Sequence, residues 1–157
     1  MKLITEQNID RIVAEEKSQN KKIVLTGGVF DILHPGHIHF LKTAKLYGDK
    51  LFVLLESDEN VKRIKGNDRP INGQFKRADA LSSLPFIDYI FLLRNVTKSD
   101  EYDKLIVQIK PDYLALTKGD PGTDQRRKQC KIVGAQLLEV DRLATASTTE
   151  LIKNGKI

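Results

Sequence analysis

The sequence predicts an α/β fold, a parallel sheet of about five strands with helices on both faces. Three observations predict it. Short β-branched runs such as KIVLT alternate with segments of helical spacing along the chain. The connections between them are mostly short, as in folds where each helix returns the chain to a neighbouring parallel strand. The first strand ends in a glycine pair, at the carboxyl edge where such sheets bind ligands. The 157 residues read as one domain, 1–157, with an N-terminal helix within 1–20 and the core of the fold in 21–157.

The elements follow in order. Residues 5–18 place Ile9, Ile12 and Val13 on one helix face, with Thr5 as the expected N-cap. Residues 22–26 form the first strand, closed by Gly27 and Gly28. From Pro35, the residues Ile38, Leu41 and Ala44 recur at helical spacing until Gly48. Residues 50–56 are the second strand, and Asp58 is expected to cap a short helix running to Ile64. The stretch KGNDRPING reads as a hinge, because Pro70 cannot sit inside a helix and its glycines permit sharp turns. Phe75, Ala78, Leu81 and Leu84 mark the next helix, followed by a strand at 87–93 and a helix at 100–109. A strand at 113–117, a helix at 124–133, a strand at 136–140 and a short helix from Thr148 complete the pattern.

Composition bounds the function. No apolar run is long enough for a membrane span or signal peptide, and the single cysteine, Cys130, excludes an internal disulfide. Both features lead to the expectation of a cytoplasmic protein without membrane partners. The net charge of +5 invites a nucleic-acid reading. Against it, the densest basic cluster, Arg126, Arg127 and Lys128 with Lys131, has no aromatic residue interleaved for base stacking. Small anions such as nucleotides and sugar phosphates suit the charge better, and no nucleic-acid partner is expected.

The segment TGGVFDILHPGH then concentrates the chemistry, with His34 and His37 three residues apart at a helix start. One reading is structural, since a histidine at a helix terminus often caps or packs. A second is a metal site with His39, but His39 lies roughly 200° around the helix from His37, and no cysteine is near. No protein metal ligands are therefore assigned. The third reading is phosphate chemistry. A helix N-terminus offers free N–H groups and partial positive charge, Pro35 suits its first position, and two imidazoles on one side can hydrogen-bond phosphate oxygens.

With these residues in view, the chain resembles the HxGH nucleotidyltransferase superfamily of cytidylyltransferase-like, Rossmann-like enzymes. The signature HPGH lies within GGVFDILHPGHIHFLKTAKLYGDKLFVLLESDENVKRIKG. RPIN with Arg77, Ile87-Asp88, KPDYLALTKGD and ASTTELIK extend the likeness over most of residues 22–153. Within the superfamily, KRIKGNDRPIN, LTKGD and STTELIK look most like the adenylyltransferases of heptose 1-phosphate. GGVFD departs from the NGCFD typical of that branch, and PGTDQRRKQ stands where it typically has KGGDY.

The resemblance implies transfer of AMP from ATP to a sugar phosphate, with release of pyrophosphate by in-line attack. It makes 21–157 a catalytic core. His34 and His37 would contact the triphosphate, and Lys45 would be a lysine aimed at phosphate. Gly28, Val29, Phe30, Arg77, Gly119, Asp120, Ser147 and Thr148 would bind the nucleotide. Asp31, Asp58, Lys65 and Arg142 would bind the acceptor. Each has a plainer reading: a turn-capping Asp31, a helix-capping Asp58 and Thr148, a solvated Lys45. Lys65 and Arg69 fall in the hinge, which is expected to close over an acceptor phosphate, and the PGTDQRRKQ segment is expected to border the acceptor site. Mg²⁺ bridging the phosphates and a homodimer are implied as well. The alternatives are a cytidylyltransferase for glycerol 3-phosphate or a phospho-alcohol, an FAD synthase, and a non-catalytic nucleotide-binding protein.

Overall fold

The computed structural model describes residues 2–96, 98–143, 152–153 and 155. Its elements run β1 (Leu3–Ile4), α1 (Ile9–Ser18), β2 (Ile23–Gly28), α2 (Pro35–Lys45), β3 (Lys50–Leu55) and α3 (Asp58–Lys65). They continue with α4 (Gln74–Ser82), β4 (Tyr89–Leu92), α5 (Ser99–Ile109), β5 (Tyr113–Thr117), α6 (Thr123–Val133) and β6 (Gln136–Val140). The strands form one six-stranded sheet in the order β1-β4-β3-β2-β5-β6. Every pair in it is parallel.

Alternation along the strands divides the core between two faces. Ile23, Leu25, Phe52 and Leu54 pack with Ile12, Ile106 and Ile109 under α1 and α5. Val24, Leu51, Val53 and Leu55 pack with Leu41, Ala44 and Leu81 under α2 and α4. Chain order reverses direction in the sheet at β2, because β3 and β4 lie on one side of it and β5 and β6 on the other. The carboxyl end of β2 is thus the topological switch point, where a ligand crevice opens.

The sheet has six strands, against the five or so read from the sequence. The extra one, β1, has two residues beside β4, too few for any periodicity to reveal. Two cap assignments are corrected. Thr5 is not the cap of α1; that position is Asn8, whose Oδ1 accepts a hydrogen bond from the Thr5 amide. At α3 the cap is Ser57, whose hydroxyl accepts from the Asn60 amide, so Asp58 is the first helical residue.

The amino edge of the sheet carries a repeated device. Asp49, which precedes β3, accepts from the Lys22 amide at 2.7 Å. Asp88, which precedes β4, accepts from the Leu51 amide at 2.8 Å. Asp112, which precedes β5, accepts from the Ile23 amide at 2.9 Å. In each case a carboxylate one residue outside its own strand satisfies an amide at the start of the neighbouring one. Charge-assisted bonds of this kind are the stronger class.

Candidate active site

The crevice opens at the carboxyl edge, between the ends of β2, β5 and β6 and the start of α2. It encloses about 380 Å³ and is lined by Gly28, Val29, Phe30, His34, His37 and Lys65, with Asp120 and Arg142 among the residues opposite.

His34 occupies the N-cap of α2 in extended conformation, and Pro35 takes the first helical position. Its Nδ1 accepts from the Gly36 amide at 3.1 Å. A ring that accepts at Nδ1 carries its proton on Nε2 when neutral, leaving that nitrogen as its donor. His37, one turn on, stacks against it with ring centroids 3.8 Å apart and planes inclined by 25°. The edge of Phe30 meets His37 from another side at 5.3 Å. Phe30 itself is buried with φ +48°, a left-handed conformation that costs a bulky residue energy. A Cβ on Gly28 would lie 2.8 Å from the Phe30 ring, so this packing requires a glycine there. The sequence motif therefore builds one unit: glycine, a strained phenylalanine, and two stacked imidazoles over a helix terminus.

Nδ1 of His37 is buried without a hydrogen-bond partner among the described residues. Burial first, and the His34 ring second, push the His37 imidazole from its ordinary 6.5 down to about 4, with the Ile32 backbone pulling weakly the other way. His37 is therefore neutral near pH 7. Between about pH 4 and 6.5 the unfolded chain holds a proton at this site that the folded chain does not. Its contribution to stability is complete above about 6.5 and is lost as the pH falls towards 4. An NMR titration of the ring protons is expected to show a midpoint near 4 in the free protein, moving upward when a triphosphate is added. A midpoint near 6.5 in the free protein would contradict this environment.

Other residues expected at the site lie elsewhere. Lys45 is corrected: it ends α2 at the amino edge of the sheet, the opposite end from the cleft, where its ammonium bonds Asp88 and the Asp49 carbonyl, each at 2.5 Å. An 11-residue helix separates it from His34 by roughly 15 Å of rise. Among the described residues, the lysine that reaches the cleft is Lys65, at the end of α3.

Arg77 is also corrected. Its guanidinium is buried and donates to the Asn72, Val29 and Glu56 carbonyls and to the Asp58 carboxylate at 2.6–2.9 Å. It binds three loops together and is not among the cleft's lining residues. Asp58 gives Oδ1 to that pair, with its side chain 42% exposed. Asp31 is buried and accepts from the Ile71 and Asn72 amides and from Arg69 Nε at 2.8–2.9 Å. Burial alone would raise its carboxyl; the Asn72 and Ile71 amides and the Arg69 guanidinium outweigh that and hold it below the ordinary carboxylate range. Asp31 thus anchors the hinge at 66–73, and Arg69 is committed to Asp31. Gly119, with φ +85°, turns the chain after β5 and carries Asp120 to the cleft wall. Ser147 and Thr148 lie outside the described residues.

A cytidylyltransferase-like family model matches residues 25–154. The chain belongs to that family of nucleotidyltransferases. A protein named bifunctional protein HldE from Campylobacter concisus is 39% identical over 99% of this chain, and one of the same name from Haemophilus ducreyi is 36% identical over 96% of it. The chain spans 31% of the length of each. Among solved structures, a lipopolysaccharide core biosynthesis protein from Thermoplasma volcanium superposes with a TM-score of 0.62 at 29% identity, covering 80% of this chain and 99% of the other. A pantoate-beta-alanine ligase from Francisella tularensis superposes with a TM-score of 0.65, covering 98% of this chain and 77% of the other. At 18% identity that likeness is one of fold.

Proposed function

We propose that the protein transfers AMP from ATP to a sugar phosphate of the heptose 1-phosphate kind, releasing pyrophosphate. The observation that carries this reading is the stacked pair His34 and His37 at the N-terminus of α2, inside the cleft. An oxygen of the acceptor phosphate forms a bond to the α-phosphorus of ATP. The bond from that phosphorus to the oxygen bridging the α- and β-phosphates breaks, and pyrophosphate leaves with the electron pair. The helix terminus and the two imidazoles are arranged to stabilise charge on the phosphate oxygens, and stabilisation that grows with developing charge is what accelerates such a step.

The preference for ATP and a heptose phosphate rests on the KRIKGNDRPIN and LTKGD segments and on the HldE relatives. Lys65 and Arg142 line the cleft and offer cations to the phosphates. Mg²⁺ would come with the nucleotide and neutralise phosphate charge. Asp120 and Asp141 are carboxylates of the cleft wall that fit it, since this ion binds through one or two carboxylates, phosphates and water. A cytoplasmic homodimer completes the reading.

Pyrophosphate release with Mg²⁺, crossing ATP and CTP against heptose 1-phosphate, glycerol 3-phosphate, phosphocholine and FMN, tests it. Release with ATP and the heptose phosphate is the expected result. Release only with CTP, or only with FMN, would move the protein to another branch, and silence with every pair would refute transfer to these acceptors.

A further inference from the structure

A second cavity opens on the other side of β2. It encloses about 350 Å³ between the ends of β3 and β4 and the first turns of α5 and α6. That volume falls in the range of small-ligand sites, roughly 300–1,000 Å³. It shares no lining residue with the first cleft. A small gap of about 20 Å³ has walls in common with both: Thr26 and Gly27 border the gap and the first cleft, while Glu56, Tyr102 and Arg126 border the gap and the second cavity. Thr26 and Gly27, at the carboxyl end of β2, thus stand between the two compartments.

The wall of the second cavity is built rather than incidental. The Tyr102 hydroxyl donates to Glu56 Oε1 at 2.7 Å, and Asn60 Nδ2 donates to Glu56 Oε2 at 2.5 Å and lies 3.2 Å from the Tyr102 hydroxyl. Arg63 bonds Asn60 and the Val96 carbonyl, which fixes the amide's orientation. Asn60 is 4% exposed, whereas Glu56 and Tyr102 are half-buried and border the cavity. A carboxylate has about four acceptor sites, and these two donors leave capacity for ligand hydroxyls. Arg126, on the first turn of α6, gives one terminal nitrogen to Gln129 and borders the gap itself. A cation at the gap beside a hydroxyl-reading carboxylate matches a phosphorylated polyol, with its phosphate at the gap and its ring in the cavity.

We propose that this second cavity is the acceptor compartment, in which Arg126 holds the acceptor phosphate at the gap and Glu56, Asn60 and Tyr102 read the sugar hydroxyls. The inference rests on the nucleotidyl-transfer reading for its substrate, and it moves acceptor recognition away from Asp31 and Asp58. It also divides the PGTDQRRKQ segment. Arg126 faces the cavity, whereas Arg127 is exposed and borders neither compartment.

The test pairs turnover with direct binding. In Arg126→Ala and Tyr102→Phe, the KM for heptose 1-phosphate is expected to rise about 10- to 100-fold, the loss typical of a charged or desolvated hydrogen bond. The KM for ATP stays within about twofold, a split that general loss of structure does not give. Arg127→Ala, in the same segment, leaves both constants unchanged. Separately, heptose 1-phosphate added to the labelled protein without nucleotide is expected to shift the Asn60 side-chain amide and Arg126 guanidinium NMR signals. Normal acceptor KM in both variants, with turnover intact, would overturn the compartment while leaving the transfer reading standing. Shifts at Asn60 and Arg126 with no turnover for any nucleotide would refute the transfer reading and keep the compartment. Neither turnover nor shifts would refute both.

Discussion

His37→Ala is expected to lower turnover by roughly 100- to 1,000-fold, the loss typical when one preorganised donor to a developing oxyanion is removed. The fold should survive the change. The imidazole carries a buried nitrogen without a partner among the described residues, and its removal deletes that polar group as well as ring contacts with Phe30 and His34. The comparison to make is kcat at saturating ATP alongside the thermal midpoint. A folded variant with near-normal kcat would remove the histidine pair from the chemistry. His37→Asn separates charge from hydrogen bonding, since an amide still donates but does not accept a proton.

Arg77→Ala is expected to cost roughly 3–5 kcal/mol of stability, because three carbonyls lose a charged donor at about 1.5–3 kcal/mol each. The guanidinium is fully enclosed, and its loss removes the donor of the Val29, Glu56 and Asn72 carbonyls at once, while Asp58, 42% exposed, turns to solvent. Against a total stability of roughly 5–15 kcal/mol for a domain of this kind, that is a large fraction. Arg77→Lys should recover little, because a single ammonium cannot span acceptors arranged for a planar fork. Urea denaturation gives the number directly, and a loss under about 1 kcal/mol would show that the three loops hold without it.

The two expected results separate what the sequence makes legible from what it hides. The α/β alternation and the HPGH helix start were readable because strand and helix periods repeat over several residues and because a proline and an N-cap position sit next to each other in the chain. His34 and His37 meet through local helix geometry alone. Lys45 and Arg77 lie away from the cleft lining for a reason the local sequence hides. Lys45 is close to the motif in sequence, but α2 carries it to the far edge of the sheet. Arg77 looks like any cation on a helix, and only the fold shows that Val29, 48 residues earlier, takes its hydrogen bond.

The same limit applies to the second compartment. Glu56 and Tyr102 are 46 residues apart, and Arg126 comes from yet another helix. Nothing in their local sequence announces that they share a wall. The strained Phe30 was legible only as an apolar residue in a glycine turn. Its left-handed backbone and its edge contact with His37 are properties of the assembled site.

The three aspartates at the amino edge have a consequence for how such a protein can change over time. A parallel strand that slips by one residue turns its whole inner face outward, and Asp49, Asp88 and Asp112 each tie the beginning of one strand to its neighbour. Alignment is thereby settled at the end of the sheet remote from the cleft. Loops at the opposite end are then free to lengthen, exchange residues or accept a new ligand without disturbing how the strands line up. Change can accumulate there at little risk to the frame, much as a bridge anchored at one bank tolerates rebuilding on the other.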